Sequence, residues 1–295
     1  MVKKIRLKVL KQFICFSVGL TCWLISFFSL YGANLDFSPS KEERTETAST
    51  AVSRLGKAYL IQIKEDFVQL LLAPRKWQGP DIMNLAAVFG TGTVIFTLDQ
   101  DIFNWIAERR TNFSQSLSKI VTKAGDGAWL LGFCGVLYGL GEIGKNPNWR
   151  RVALLSVESL AISSMSVAAL KCLIGRARPQ AWEGSQSFHP FSFSHRHTSF
   201  PSGHASAAFS VAASIAGESE NRVIDLTAYS LATLVALARV HDEAHWASDV
   251  LVGSALGYFI GRAVVNLHRP EKKRFSLRIY PTSQGWAISL SYLSD

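Results

Sequence analysis

The chain is poor in charge and in cysteine. Of its 295 residues only 18% are Asp, Glu, Lys or Arg, against 48% hydrophobic, where a typical soluble domain carries about 25% charge. One compact apolar body is expected. The four cysteines, Cys15, Cys22, Cys134 and Cys172, form no C-x-x-C pair and no metal-ligand spacing, and each lies in an apolar run. Buried thiols are therefore expected rather than a redox or zinc motif. No nucleic-acid-binding module accompanies the basic residues, which are scattered. The formal charge of +9 instead suits lipid headgroups or a phosphorylated substrate.

The N-terminus combines a basic start, MVKKIRLKVLK, with an apolar stretch over 13–33. This is the build of an export signal or a membrane anchor, and the stretch is long for a signal core. Residues 34–58 are polar and rich in Ser and Thr, as in a linker. Over 59–72 the apolar residues Leu60, Ile61, Ile63, Phe67, Leu70 and Leu71 recur at helical spacing against Lys64, Glu65 and Asp66. That pattern predicts an amphipathic helix ended by Pro74 and Pro80. Six apolar helices follow, near 82–98, 127–143, 152–174, 205–216, 226–238 and 250–265. Several are shorter than the roughly 20 residues that cross a bilayer. After Arg274, alternating residues on either side of TSQG predict a C-terminal β-hairpin.

Three polar clusters interrupt the apolar helices. In RVHDEAHWASD, His245 and Asp249 stand at i, i+4 and share one face of a helix beginning near His245. The carboxylate can hold one imidazole nitrogen and leave the other free to attack; an ordinary first-turn Asp also accounts for the pair. Pro201-Ser202-Gly203-His204 precedes the run AAFSVAASIA, so its backbone N–H groups can meet an anion at a helix N-terminus. There Ser202 adds a donor, Gly203 admits close approach and His204 can act as a general acid; a plain cap with a surface histidine is the alternative. In KCLIGRARP, a helix continuing past Gly175 projects Lys171 and Arg178 the same way. With Arg239 they can neutralise a phosphate dianion. Taken singly each cation also fits a snorkelling headgroup residue, as does Arg176.

The order and spacing of the clusters resemble the type 2 phosphatidic acid phosphatase and vanadium haloperoxidase superfamily. Its signature reads Lys, six residues, Arg-Pro; then Pro-Ser-Gly-His; then Ser-Arg, five residues, His, three residues, Asp. Lys171, Arg178-Pro179, Pro201 to His204, Arg239, His245 and Asp249 meet every spacing, and Ala238 departs from the usual Ser. The resemblance covers roughly 80–266. It implies that His245 attacks phosphorus to form a phosphohistidine, Asp249 orients it and His204 protonates the leaving alcohol. It further implies that Lys171, Arg178, Arg239, Ser202 and the Gly203 N–H bind the phosphoryl oxygens. Neither metal nor other cofactor is expected, in keeping with the lack of clustered carboxylates suited to magnesium. His189, His195 and His197 share a polar loop without a further ligand at convincing spacing. Asp242 and Glu243 are expected to be solvated or to tune the nucleophile. Glu158, inside an apolar helix, is expected to have an internal hydrogen-bond partner.

The expected fold is an all-α, six-helix core bundle, with an N-terminal signal or anchor and a small C-terminal β-hairpin. The expected organisation is a signal or anchor over 1–33, linker 34–58, amphipathic helix 59–80, catalytic domain 81–268 and basic tail with hairpin 269–295. The expected activity is metal-independent hydrolysis of a lipid phosphomonoester or pyrophosphate. A soluble exported acid phosphatase, a vanadate-dependent haloperoxidase and a non-catalytic phospholipid-binding membrane protein are the alternatives. The basic residues Lys145, Arg150, Arg151 and Arg222 and the HRPEKKR segment mark a cytoplasmic face opposite the site. The site is thus expected to face the periplasm or exterior, in a membrane-embedded, membrane-associated or soluble periplasmic protein.

Overall fold

The computed structural model describes residues 55–269, and the backbone of 273–282 and 285–294. The expected signal or anchor and most of the linker lie outside the described residues. Helix α1 (Lys57–Leu72) begins two residues before the expected start and gives way to a 3-10 turn, Ala73–Lys76, containing Pro74. Pro80 ends nothing. It sits in the first turn of α2 (Gly79–Ala107), whose Asp81 carboxylate accepts the Gln78 N–H at 2.9 Å, because proline lacks only a donor that a first turn leaves unused. A short helix absent from the sequence expectation follows. This is α3 (Asn112–Lys123), capped by the Thr111 hydroxyl, which accepts the Ser114 N–H at 3.1 Å.

The next four helices each begin at or near a polar cap. Asp126 caps α4 (Gly127–Ile143) and Asn146 caps α5 (Pro147–Ile174). Helix α6 (Gly203–Glu218) starts after Ser202, and Asn221 caps α7 (Arg222–His241). The last helix, α8 (Ala247–Leu267), is opened by the Trp246 N–H donating to Asp249 Oδ2 at 3.0 Å. The backbone of β1 (Lys273–Thr282) and β2 (Gly285–Ser294) pairs antiparallel, with Thr282 opposite Gly285.

Helix α6 packs between α5, α7 and α8. A stripe on α8 lets α6 approach closely: a Cβ at Gly257 would stand 2.0 Å from the Ser206 carbonyl oxygen, with Gly253 and Gly261 a turn either side. Buried serines link α5 to α6 through Ser159 Oγ to Ser214 Oγ at 2.8 Å and Ser163 Oγ to Ser206 Oγ at 2.6 Å. Small residues and interhelical hydroxyl bonds are how helices associate where lipid removes the hydrophobic drive.

Helices α2, α5, α7 and α8 are long and apolar enough to cross a membrane, and the bent pair α3–α4 would make a fifth span. Their outer faces carry exposed Phe89, Val94, Trp129, Val136, Leu231 and Leu234. So much apolar surface on successive helices is unfavourable in water and suits lipid.

Candidate active site

The helix carrying Lys171 stops at Ile174 rather than running on to Arg178. Gly175 takes a left-handed φ of 61°, and a Cβ there would fall 1.7 Å from the His189 carbonyl oxygen. Only glycine fits such a turn. The chain then doubles back, so Lys171 and Arg178 meet through the loop 175–202 and not along one helix face. Lys171 Nζ donates to the Thr198 carbonyl. Arg178 donates to the carbonyls of His195 at 3.0 Å, Ala244 at 3.2 Å and Thr198 at 3.3 Å. One arginine thereby clamps the loop before α6 to the turn before α8.

Arg239, in the last turn of α7, lies 3.8 Å from Asp242 Oδ2, and its buried Nε has no hydrogen-bond partner. Ser202 is fully buried, and its hydroxyl also lacks a partner. Its backbone N–H donates to the Asp249 carbonyl at 3.0 Å, which ties the start of α6 to α8. Gly203 follows, and a Cβ there would come 3.9 Å from Lys171 Cε. Buried donors left unpaired are costly, and here they lie among three cations.

His245 is buried in the turn between α7 and α8. Its Nδ1–H donates to the Ser199 carbonyl at 2.7 Å, which leaves Nε2 as the unprotonated nitrogen of the neutral ring. Asp249 Oδ2 stands 4.0 Å from Nδ1, beyond direct hydrogen bonding. That carboxylate accepts instead from Ser199 Oγ at 2.5 Å, the Trp246 N–H at 3.0 Å and Arg176 Nη1 at 2.6 Å. Burial, followed by the charges of Lys171, Arg178 and Arg239, pushes the His245 imidazole well below its ordinary value. His204 lies 4.0 Å from Asp126. Burial, then Arg239, with smaller effects of Arg178 and Lys171, lowers it to about 4. The same three cations act on both histidines, so the eight residues singled out from the sequence converge at one end of the bundle.

Arg176 does not snorkel. Only 1% exposed, it lies between two buried carboxylates, with Nη2 2.8 Å from Asp99 Oδ2 and Nη1 2.6 Å from Asp249 Oδ1. Its guanidinium carbon stands 4.6 Å from the Phe96 ring centre. Asp99, on α2, also accepts the Ser248 N–H at 2.9 Å and the Ser248 hydroxyl. Asp99 and Ser199 are the residues missed in the sequence. A carboxylate in the apolar run of α2 was the available signal, since such a group demands a partner.

The neighbouring acids are engaged as well. Asp242 Oδ2 accepts from Thr122 Oγ1 at 3.1 Å, and Glu243 pairs with Arg110 at 2.8 Å, so neither is simply solvated. Ala238 is buried beside the new helix, its carbonyl accepting from Ser118 Oγ at 3.3 Å. In the polar loop, Glu183 supplies the acidic neighbour that spacing did not reveal, at 2.8 Å from His189 and 3.3 Å from His197. His195 is not in that group.

The model of the PAP2 superfamily matches residues 152–273, the stretch that holds all eight residues. A lipid A 1-phosphatase of Rhizobium etli is 30% identical over 164 residues, covering 51% of this chain and 70% of that protein. The chain belongs to the PAP2 superfamily. A lipid A 1-phosphatase of Porphyromonas gingivalis is 29% identical over 125 residues, covering 42% of this chain but only 25% of that longer protein. Among solved structures, this PAP2 chain is similar to Aquifex aeolicus LpxE, with 21% identity and a TM-score of 0.44 over 57% of this chain and 94% of that one. A transmembrane PAP2 type phosphatidylglycerolphosphate phosphatase from Bacillus subtilis gives 18% identity and a TM-score of 0.44 over 61% and 92%.

Proposed function

We propose that this chain is a metal-independent lipid phosphatase that works through a phosphohistidine on His245. The observation that carries the reading is the state of that ring. Its Nδ1–H is committed to the Ser199 carbonyl, burial and three cations favour the neutral form, and Nε2 is left with its lone pair. A neutral imidazole so held is a nucleophile.

In the proposed reaction Lys171, Arg178 and Arg239 hold the phosphoryl oxygens, joined by Ser202 Oγ and the Gly203 N–H. His245 Nε2 attacks phosphorus, and the bond from phosphorus to the ester oxygen breaks. His204 gives its proton to that oxygen, and the product alcohol leaves. Water then attacks the phosphohistidine, His204 takes a proton from it, and inorganic phosphate departs with His245 restored. In the free site His204 is lowered to about 4 by burial and the cations. A bound phosphate offsets those cations and sets its own negative charge beside the ring, which raises His204 toward the protonated form that the acid step needs.

The six-helix catalytic core comprises α2 and α4–α8 within 81–268, with Asp99 bringing α2 into the site. The exposed apolar faces support a substrate whose acyl chains stay in the bilayer, and the site faces the periplasm or exterior. Lipid A bearing a 1-phosphate is the first substrate to test, since both curated relatives are lipid A 1-phosphatases.

The test is phosphate release from a panel of lipid and soluble phosphates, with and without added magnesium. Preferential release from the lipids without magnesium stimulation is expected. Exclusive action on soluble esters, or an absolute need for magnesium, would overturn the reading.

A further inference from the structure

Far from the cationic site, three buried side chains meet between α1, α5 and the end of α8. They are Asp66, Glu158 and His268, exposed by 3%, 0% and 5%. His268 Nδ1–H donates to the Val264 carbonyl at 3.0 Å, so Nε2 of the neutral ring presents a lone pair. That nitrogen stands 3.3 Å from Asp66 Oδ2 and 3.8 Å from Glu158 Oε2. Neither Glu158 oxygen nor His268 Nε2 has a hydrogen-bond partner.

An imidazole lone pair and two carboxylates within 4.8 Å of one another repel unless something positive stands among them. The nearby Arg151 is already paired with Glu218 at 2.6 Å and donates to the His268 carbonyl at 2.7 Å. One proton would leave the cluster with a net negative charge. A divalent cation neutralises both carboxylates and gives Glu158 and His268 Nε2 a partner.

The ligand set selects the ion. One nitrogen and two oxygens suit zinc or a similar first-row divalent ion, whereas calcium and magnesium favour more oxygens. Ligands about 2.0–2.2 Å from zinc in tetrahedral geometry stand ~3.3–3.6 Å apart, so the observed separations need only a small closure. Water can complete the coordination.

We propose that Asp66, Glu158 and His268 bind one zinc-type divalent cation that ties α1 to α5 and to the end of α8. This departs from the expectation that the chain holds no metal, and it concerns structure rather than chemistry. Glu158 lies about 20 Å along α5 from Lys171 at 1.5 Å per residue. Tyr59 Oη, donating to the Leu154 carbonyl at 2.6 Å, fastens the same helix nearby.

The test uses the full chain in detergent, free of any affinity tag, in a His197→Ala background that removes the exposed Glu183–His189–His197 group from the count. After equilibration with Zn2+ and gel filtration, roughly one equivalent of zinc is expected to remain. Glu158→Gln and His268→Gln are expected to retain at least about tenfold less, and zinc should raise Tm only in the parent. Less than about a tenth of an equivalent in the parent, or equal retention in both variants, overturns the proposal. Co2+ in the parent gives a readout independent of variant folding. Intense visible bands of a low-coordinate site are expected, and the pale spectrum of the hydrated ion is the contrary result.

Discussion

The Ser199 hydroxyl donates to Asp249 Oδ2 at 2.5 Å, while the carbonyl of the same residue receives the His245 Nδ1–H at 2.7 Å. The acid and the imidazole, expected to touch, are coupled through one serine. Asp249 thus fixes the Ser199 backbone, and that backbone fixes the ring.

Ser199→Ala keeps the carbonyl but frees it from the carboxylate. A fall in kcat of about tenfold, roughly 1.4 kcal/mol in the barrier, is expected with KM nearly unchanged. Ser199→Thr should restore most of the rate. Steady-state phosphate release decides, and an unchanged kcat in Ser199→Ala would remove the bridge from the mechanism.

Arg176 and Arg239 should separate stability from activity. Removing the buried Arg176 leaves Asp99 and Asp249 without their counter-charge, so Arg176→Met is expected to cost about 3–5 kcal/mol. Thermal unfolding in detergent should show a clear loss of Tm. Arg239→Ala, whose guanidinium already has an unpartnered Nε, should abolish most activity with little change in Tm. Equal stability of the two variants would contradict this division.

His204 makes the protein acid-sensitive with a definite sign. Its folded value, lowered from 6.5 to about 4 chiefly by burial, means the unfolded chain binds the extra proton between those limits. Stability is therefore fully present above 6.5 and declines as pH falls through about 4. His204→Gln should flatten that slope in Tm against pH. In a ring-carbon NMR titration, inorganic phosphate should move the His204 midpoint upward, and a midpoint unmoved by saturating phosphate would argue against its coupling to the anion.

Gly257→Ala probes how the bundle places the site. The added Cβ would lie 2.0 Å from the Ser206 carbonyl oxygen, so α6 and α8 must part. A loss of about 1–3 kcal/mol is expected, with activity reduced because Ser202 and Asp249 ride on the separated helices. Unaltered Tm would show that the helices relax without cost.

The ionic clusters were legible because their spacing is local. Lys171, Arg178, His204, Arg239 and His245 each sit at a helix end or in a turn, where a short motif records the geometry. Apolar periodicity likewise located helices such as α4. What escaped was long-range or local in the wrong sense. No motif links Asp99 to Arg176, which lie in different segments and meet only when α2 packs beside the loop. Arg176 looked like a surface cation because its two neighbours in the run KCLIGRARP are cations with other duties. Gly175 signalled a helix end, yet continuing the helix offered a simpler way to align Lys171 with Arg178. Helix α3 is short, polar and rich in serine; its capping by Thr111 and its contact with α7 make it a helix more than its propensity does.

The central claim is a covalent bond between His245 and phosphorus. Rapid quenching of the enzyme with a radiolabelled lipid phosphate, followed by proteolysis and mass spectrometry, tests it directly. Phosphohistidine chemistry predicts an alkali-stable, acid-labile phosphoryl group on the peptide bearing His245, absent from His245→Asn along with phosphate release. Undiminished phosphate release by a folded His245→Asn variant would contradict it.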